Sequence, residues 1–176
     1  MSLKVITRPG SDEFAPFYAG YVGLVPDERV PARLESQVIE TAALFGRVSA
    51  AREGHRYEPG KWSVREVAGH MADTERVMAY RLLRIGRNDP TPLPGFDENA
   101  WVPPAEFESR RLADLVDEFR AVRNATLKLL GGLPATAFSH RGEASGRGVS
   151  VRALAYIIAG HELHHVKVLR ERYGLV

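Results

Sequence analysis

Gly160-His161-Glu162-Leu163-His164-His165 lies at the centre of the segment whose reading decides the fold, residues 150–174. That segment reads as one amphipathic helix. At 100° per residue, with His161 at zero, Leu154, Ile157, Ile158 and Val168 all fall within about 60° of it. His165 falls on the same stripe and His164 sits at its edge. Two imidazoles therefore point toward a hydrophobic core, where a polar group needs a partner. Two histidines at i and i+4 on one helix face are spaced to share a divalent metal. The plainer reading is a chance pair of core histidines satisfied by carbonyls or carboxylates. The metal reading requires a third ligand from elsewhere in the chain.

Working outward, the 176 residues suit a single domain, 1–176, with enough apolar content (44%) to bury a core. Formal net charge is +2. No block of five like charges appears, which argues against a nucleic-acid partner. There is no cysteine, so a disulfide, a thiolate metal site and a cysteine nucleophile are all excluded. No signal-peptide pattern and no apolar run of membrane-spanning length is seen, so the expectation is a soluble, cytoplasmic protein with no membrane partner.

Residues 1–26 form an irregular arm rich in aromatics, Phe14, Phe17, Tyr18 and Tyr21, broken by Pro16, Gly20, Gly23 and Pro26. It reads as an arm lying on the bundle. The alternative is an aromatic patch for a second subunit, giving a homodimer. Residues 27–52 carry a 3.6-residue apolar period and predict a first helix, with Pro31 in its first turn. Ser63 and Glu66 make a capping box that opens a second helix, to about residue 86. His70 lies in the core-facing half of that helix and is the candidate third ligand. Asp73 is a candidate to orient a ligand imidazole from behind, or else a solvated surface carboxylate.

Residues 86–104 contain five prolines and cannot be helix throughout. A connection this long reads as a lid or binding loop, with Phe96 and Trp101 as a roof and Trp62 as a further pocket wall. Residues 109–130 predict a third helix, stopped by Gly131-Gly132-Leu133-Pro134. The Gly-rich stretch 134–149 lacks the strand and the Gly-Lys-Ser/Thr of a phosphate loop. Ser150 then caps the fourth helix. No strand pattern competes. The expectation is an all-α four-helix bundle with long crossover connections at 86–109 and 131–149.

His161-Glu162-Leu163-His164-His165 also satisfies H-E-x-x-H, with Glu162 as the general base of a zinc protease. The downstream third ligand of that arrangement is missing, because the one carboxylate after it, Glu171, is only six residues on. An upstream ligand fits better, and Glu162 then becomes a candidate supporting residue.

Three stretches carry a resemblance: residues 61–76 (Lys-Trp-Ser-Val-Arg-Glu-Val-Ala-Gly-His-Met-Ala-Asp-Thr-Glu-Arg), residues 92–98 (Pro-Leu-Pro-Gly-Phe-Asp-Glu) and Gly160 to His165. In this order the chain resembles the DinB/YfiT-like superfamily of bacterial four-helix-bundle proteins, over nearly its whole length. The resemblance implies one divalent metal, Zn or Ni first, held by His70, His161 and His165. It also implies a small-molecule substrate. Some relatives transfer low-molecular-weight thiols to electrophiles or use mycothiol to isomerise maleylpyruvate. Three neutral imidazoles leave an open coordination position, as in catalytic zinc sites. Any thiol must arrive on a cosubstrate, since the chain has none. A metal-dependent hydrolase and a non-catalytic metal-binding stress-response protein remain as alternatives.

Overall fold

The computed structural model describes residues 5–26 and 28–176. Its bundle is built from α2 (Val30–Phe45), α3 (Val64–Gly86), α5 (Leu112–Gly132) and α6 (Val151–Glu171), with short helices α1 (Ala19–Leu24) and α4 (Glu98–Trp101) outside it. No helix among the described residues is long and apolar enough to cross a membrane.

The caps act where the sequence places them. Ser63 Oγ accepts from the Glu66 amide at 3.2 Å, and Glu66 Oε2 accepts from the Ser63 amide at 2.8 Å. Ser150 Oγ accepts from the Ala153 amide at 3.0 Å and opens α6. The first helix is shorter than its apolar period suggests. It ends at Phe45, and a 3-10 turn, Ala50–Arg52, replaces its expected end. Its expected start at Asp27 lies outside the described residues. The third helix runs through both glycines and stops at Leu133, whose extended backbone is what a following proline demands.

Side-chain pairings fix the topology. Thr41 meets Glu162 and Gln37 meets the Ala159 carbonyl, so α2 and α6 run parallel. Arg123 bonds Glu75 and Arg76 pairs with Glu118, while Gly86 packs on Leu133, so α3 and α5 run parallel. The Trp62 carbonyl near the start of α3 accepts from Tyr173 just beyond α6, so those two are antiparallel. Around the bundle the order is α2, α5, α3, α6. Parallel α3 and α5 require residues 87–111 to travel back along the bundle. Consecutive α2 and α3 are diagonal, as are α5 and α6.

The expectation of no strand is wrong in one place. Residues Arg141–Ala144 (β1) pair antiparallel with Arg147–Ser150 (β2). Ser145 and Gly146 at the tip have φ of 55° and 70°, the left-handed pair of a type I′ hairpin turn. The strands Arg-Gly-Glu-Ala and Arg-Gly-Val-Ser lack alternation, and only Ser-Gly signals the turn. Leu93 clips the long loop onto this hairpin through the Glu143 carbonyl (2.9 Å) and the Ser145 amide (3.0 Å).

The N-terminal arm is partly helical and lies on α6. A Cβ on Gly160 would come within 2.0 Å of the Tyr21 carbonyl oxygen. Only glycine lets the two backbones cross this closely. The core divides into two apolar halves. One gathers Met78, Leu82 and Ile85 of α3 with Leu154, Ile157 and Ile158 of α6. The other gathers Val64, Val67 and Met71 with Leu115, Phe119 and Leu169. Between them lies a buried polar waist: Gln37, Thr41, His70, Thr74, Glu75, Arg123, Thr126, His161, Glu162 and His165.

Candidate metal centre

His70 stands on the second turn of α3, and His161 and His165 on successive turns of α6. All three are buried, at 6%, 7% and 8% exposure. One ring nitrogen from each lies within 4.8 Å of the others. His161 Nε2 is 3.1 Å from Nε2 of His70 and 3.1 Å from Nε2 of His165. That nitrogen carries either one proton or one in-plane lone pair, so it cannot serve two neighbours in line. Three nitrogens held about 2.0–2.1 Å from a tetrahedral ion lie roughly 3.3 Å apart. The observed spacing fits one ion at the centre.

Electrostatics suit a cation ligand set. Burial, aided by the charge on His164, lowers the His70 pKa to about 4. Burial drives His161 and His165 well below the usual histidine value, each helped by neighbouring imidazoles. All three rings are therefore neutral at pH 7, with lone pairs free to coordinate. His164 is half-exposed and stands outside the cluster, 5.3 Å from the Tyr21 ring.

Behind His161, Arg123 is fully buried. It hydrogen-bonds Glu75 through three contacts of 2.7 to 3.1 Å, donates to the Leu34 carbonyl at 3.0 Å and makes an ion pair with Glu162 Oε2 at 2.7 Å. Thr41 donates to Glu162 Oε1 at 2.6 Å. Burial raises the Glu162 pKa, against the pull of Arg123. The sequence reading places Glu75 close after His70 but gives it no role, and it does not find Arg123. Their signal is a charged residue on an apolar stripe, four after Phe119 and four after Met71.

The sequence-expected supports fall elsewhere. Asp73 is paired with Arg76 at 3.0 Å, in a surface network with Glu118 and Arg110, and not with an imidazole. One position beyond it, Thr74 places its hydroxyl 3.4 Å from His70 Nδ1. Glu162 is held by Arg123 and Thr41 rather than by a histidine, which leaves it poorly placed as a protease base. Trp62 packs 4.5 Å from the His70 ring and stacks on His165 at 6.5 Å. Phe96 lines a cavity with His70 and His161, and Trp101 packs behind it at 5.0 Å.

Two openings flank the three histidines. One, of about 180 Å³, has His70 and His161 in its wall. The other, of about 300 Å³, is lined by Trp62, His164 and His165. The long loop lies over both, with Phe96 and Glu98 facing the first and Asn99 the second. Tyr21, from the arm, sits edge-on to His161 at 5.5 Å.

The sequence pattern of the DinB superfamily matches residues 33–169. The chain belongs to the DinB superfamily. No curated protein sequence matches it. Among solved structures, the chain is similar to YfiT from Bacillus subtilis, described as a probable metal-dependent hydrolase with an unusual four-helix-bundle topology. Identity is 18% and TM-score 0.65, covering 97% of this chain and 95% of YfiT. It is similar to a mycothiol-dependent maleylpyruvate isomerase at 16% identity and TM-score 0.68, covering 88% of this chain but only 63% of the isomerase. It is also similar to YjoA, a DinB-like protein of Bacillus subtilis, at 19% identity and TM-score 0.58, covering 80% of this chain and 86% of YjoA. These likenesses establish the shared DinB fold.

Proposed function

We propose that this DinB-superfamily protein is a divalent-metal-dependent enzyme that transfers a low-molecular-weight thiol to a small electrophile. The observation that carries it is the cluster of three buried, neutral imidazoles beside a cavity. His70, His161 and His165 would hold the ion, zinc or nickel by ligand type. A bound divalent ion would supply Lewis acidity, lowering the pKa of a thiol or water that reaches it.

The chain's own residues set the rest. Thr74 packs its hydroxyl against the His70 ring, 3.4 Å from Nδ1 and 3.5 Å from Nε2. Glu162, fixed by Arg123 and Thr41, anchors the turn that carries His161. Trp62 and Tyr21 pack against the imidazoles and restrict their ring rotation. Because the chain has no cysteine, the thiol is a cosubstrate. Hydrolysis is the second reading, favoured by the likeness to YfiT along nearly its whole length. Under either reading the partner is a small molecule. A cytoplasmic setting and a homodimer belong to this proposal too, the latter prompted by Phe17, which is 72% exposed on the arm.

The test pairs metal analysis of untagged protein with turnover. Metal-loaded protein is incubated with bacillithiol, mycothiol, coenzyme A or glutathione and a chlorinated nitrobenzene. Faster conjugation than by His161→Ala, with at least one thiol, is expected. Equal rates for both proteins across all four thiols would remove the transferase reading.

A further inference from the structure

The cavity beside His70 and His161 has a wall composition that the metal does not explain. Phe17, Tyr18, Tyr21 and Phe96 all line it. Phe17 stands steeply to the other two arm rings, 5.3 Å from Tyr18 at 77° and 6.1 Å from Tyr21 at 85°, while Tyr18 and Tyr21 lie 6.3 Å apart and are tilted by 43°. The Phe17 ring therefore faces a different direction from the two tyrosines. Among these rings sits the carboxylate-bearing side chain of Glu98. It is partly buried, and no lysine or arginine pairs with it among the described residues. Its charge is felt at the Tyr21 hydroxyl, whose pKa is raised by burial first and by Glu98 second.

Among the described residues, no arginine or lysine lines this cavity. The Arg81 guanidinium covers Phe96, 5.5 Å from the ring centre. Its Nη2 is committed to the Pro94 carbonyl at 2.8 Å and Ser145 Oγ at 2.9 Å. Arg81 makes no ion pair with Glu98 and leaves the rings of the arm uncovered. Aromatic faces converging with an uncompensated carboxylate are the chemistry that recognises an organic ammonium group. The electron-rich faces attract the cation and the carboxylate neutralises it. A neutral ligand of the same shape gains only the apolar contact.

We propose that this cavity binds the ammonium head of a small organic cation between the aromatic rings of the arm and Glu98, next to His70 and His161. The proposal rests on the reading above that substrate meets the metal in this cavity, and it names the substrate class as amine-bearing. It gives Glu98 and Tyr21 a part in specificity, distinct from that of the three histidines. It also gives the arm a reason to cross α6 at Gly160, since that crossing delivers Tyr18 and Tyr21 to the cavity.

The experiment is an NMR titration of the full chain, with and without zinc, using choline and its uncharged isostere 3,3-dimethylbutan-1-ol. Cation–π attraction of about 1–2 kcal/mol corresponds to roughly a five- to thirty-fold preference for choline. Glu98→Gln should reduce that preference, the rings retaining the remainder, while binding the alcohol as wild type does. Glu98 lies in an exposed loop helix, so the variant folds, and unchanged far-ultraviolet circular dichroism verifies it. Equal binding of the two probes, no saturable choline binding, or a Glu98→Gln preference equal to wild type would each overturn the proposal. His161→Ala keeps these readings separate. If it retains zinc but wild type prefers choline, the metal reading fails and this one stands. If zinc binds as expected and choline does not, only this one falls.

Discussion

The waist of the bundle holds two buried triads that share helices α3 and α6 and differ in kind. Glu75, Arg123 and Glu162 are opposite charges already engaged with one another, closed by Thr41 and the Leu34 carbonyl. His70, His161 and His165 are three acceptors converging on one another with too few protons to satisfy them. A buried ion network completed within the chain is architecture. A buried set of converging imidazoles could hold something positive. The same burial therefore yields a structural element on one side of His161 and a candidate reactive centre on the other.

The largest expected effect separates the two directly. His70→Ala, His161→Ala or His165→Ala should each reduce bound metal from one ion per chain to nearly none. Elemental analysis after dialysis measures it. Full occupancy in His70→Ala would dissolve the distinction, because the triad would then not be the ligand set.

Next comes Arg123→Met, which strips the closed triad of its cation and leaves two carboxylates in the core. Breaking a buried pair in this way costs about 3–5 kcal/mol. Urea unfolding should show that loss, and adding Glu75→Gln and Glu162→Gln should restore much of it. A single variant as stable as wild type would mean that the network contributes little to the fold.

A third test uses pH on metal-free protein. Folded His70 has its pKa lowered to about 4, and burial also holds His161 and His165 well below the usual histidine value. In the unfolded chain all three titrate near 6.5. Between those values the unfolded state binds more protons, so stability is complete above about pH 6.5 and falls as pH drops toward 4. His70 alone accounts for roughly 3 kcal/mol across that window. Urea midpoints at pH 7, 6 and 5 should decline, and less steeply in His161→Ala. A flat profile would show the imidazoles to be better solvated than their burial implies.

The smallest effect sharpens the boundary of the reactive triad. His164→Ala should keep full metal occupancy, since that ring faces Tyr21 and stands apart from the cluster. Loss of metal as complete as in His161→Ala would place it inside.

The legible parts of this molecule are those with a local code. The stripe of α6, the Ser63–Glu66 box and the inward placement of His70 all follow from helical periodicity, and the three histidines meet as that periodicity implies. The hairpin at 141–150 has no such code, because its strands are short, polar and paired mainly through backbone. Asp73 follows His70 closely in sequence, but three positions on a helix turn it about 60° away, and its carboxylate pairs with Arg76 instead. Arg123 and Glu75 stand on apolar stripes where charge looks like an exception, and only the assembled bundle shows that each excuses the other. Tyr21 was visible as an aromatic residue in an arm, but its position over His161 depends on a backbone crossing between residues far apart in the chain.

The diagonal placement of consecutive helices has a kinetic consequence. Contacts at the waist join residues 48 apart for Glu75 and Arg123, 91 apart for His70 and His161, and 121 apart for Thr41 and Glu162. A bundle in which successive helices lie side by side can zip up through near neighbours. Here each strut of the waist must first close a long loop of chain. Helical proteins of low contact order fold in microseconds to milliseconds, and non-local pairing slows that search. The residues proposed to hold the ion therefore come together only once α6 has docked against α3.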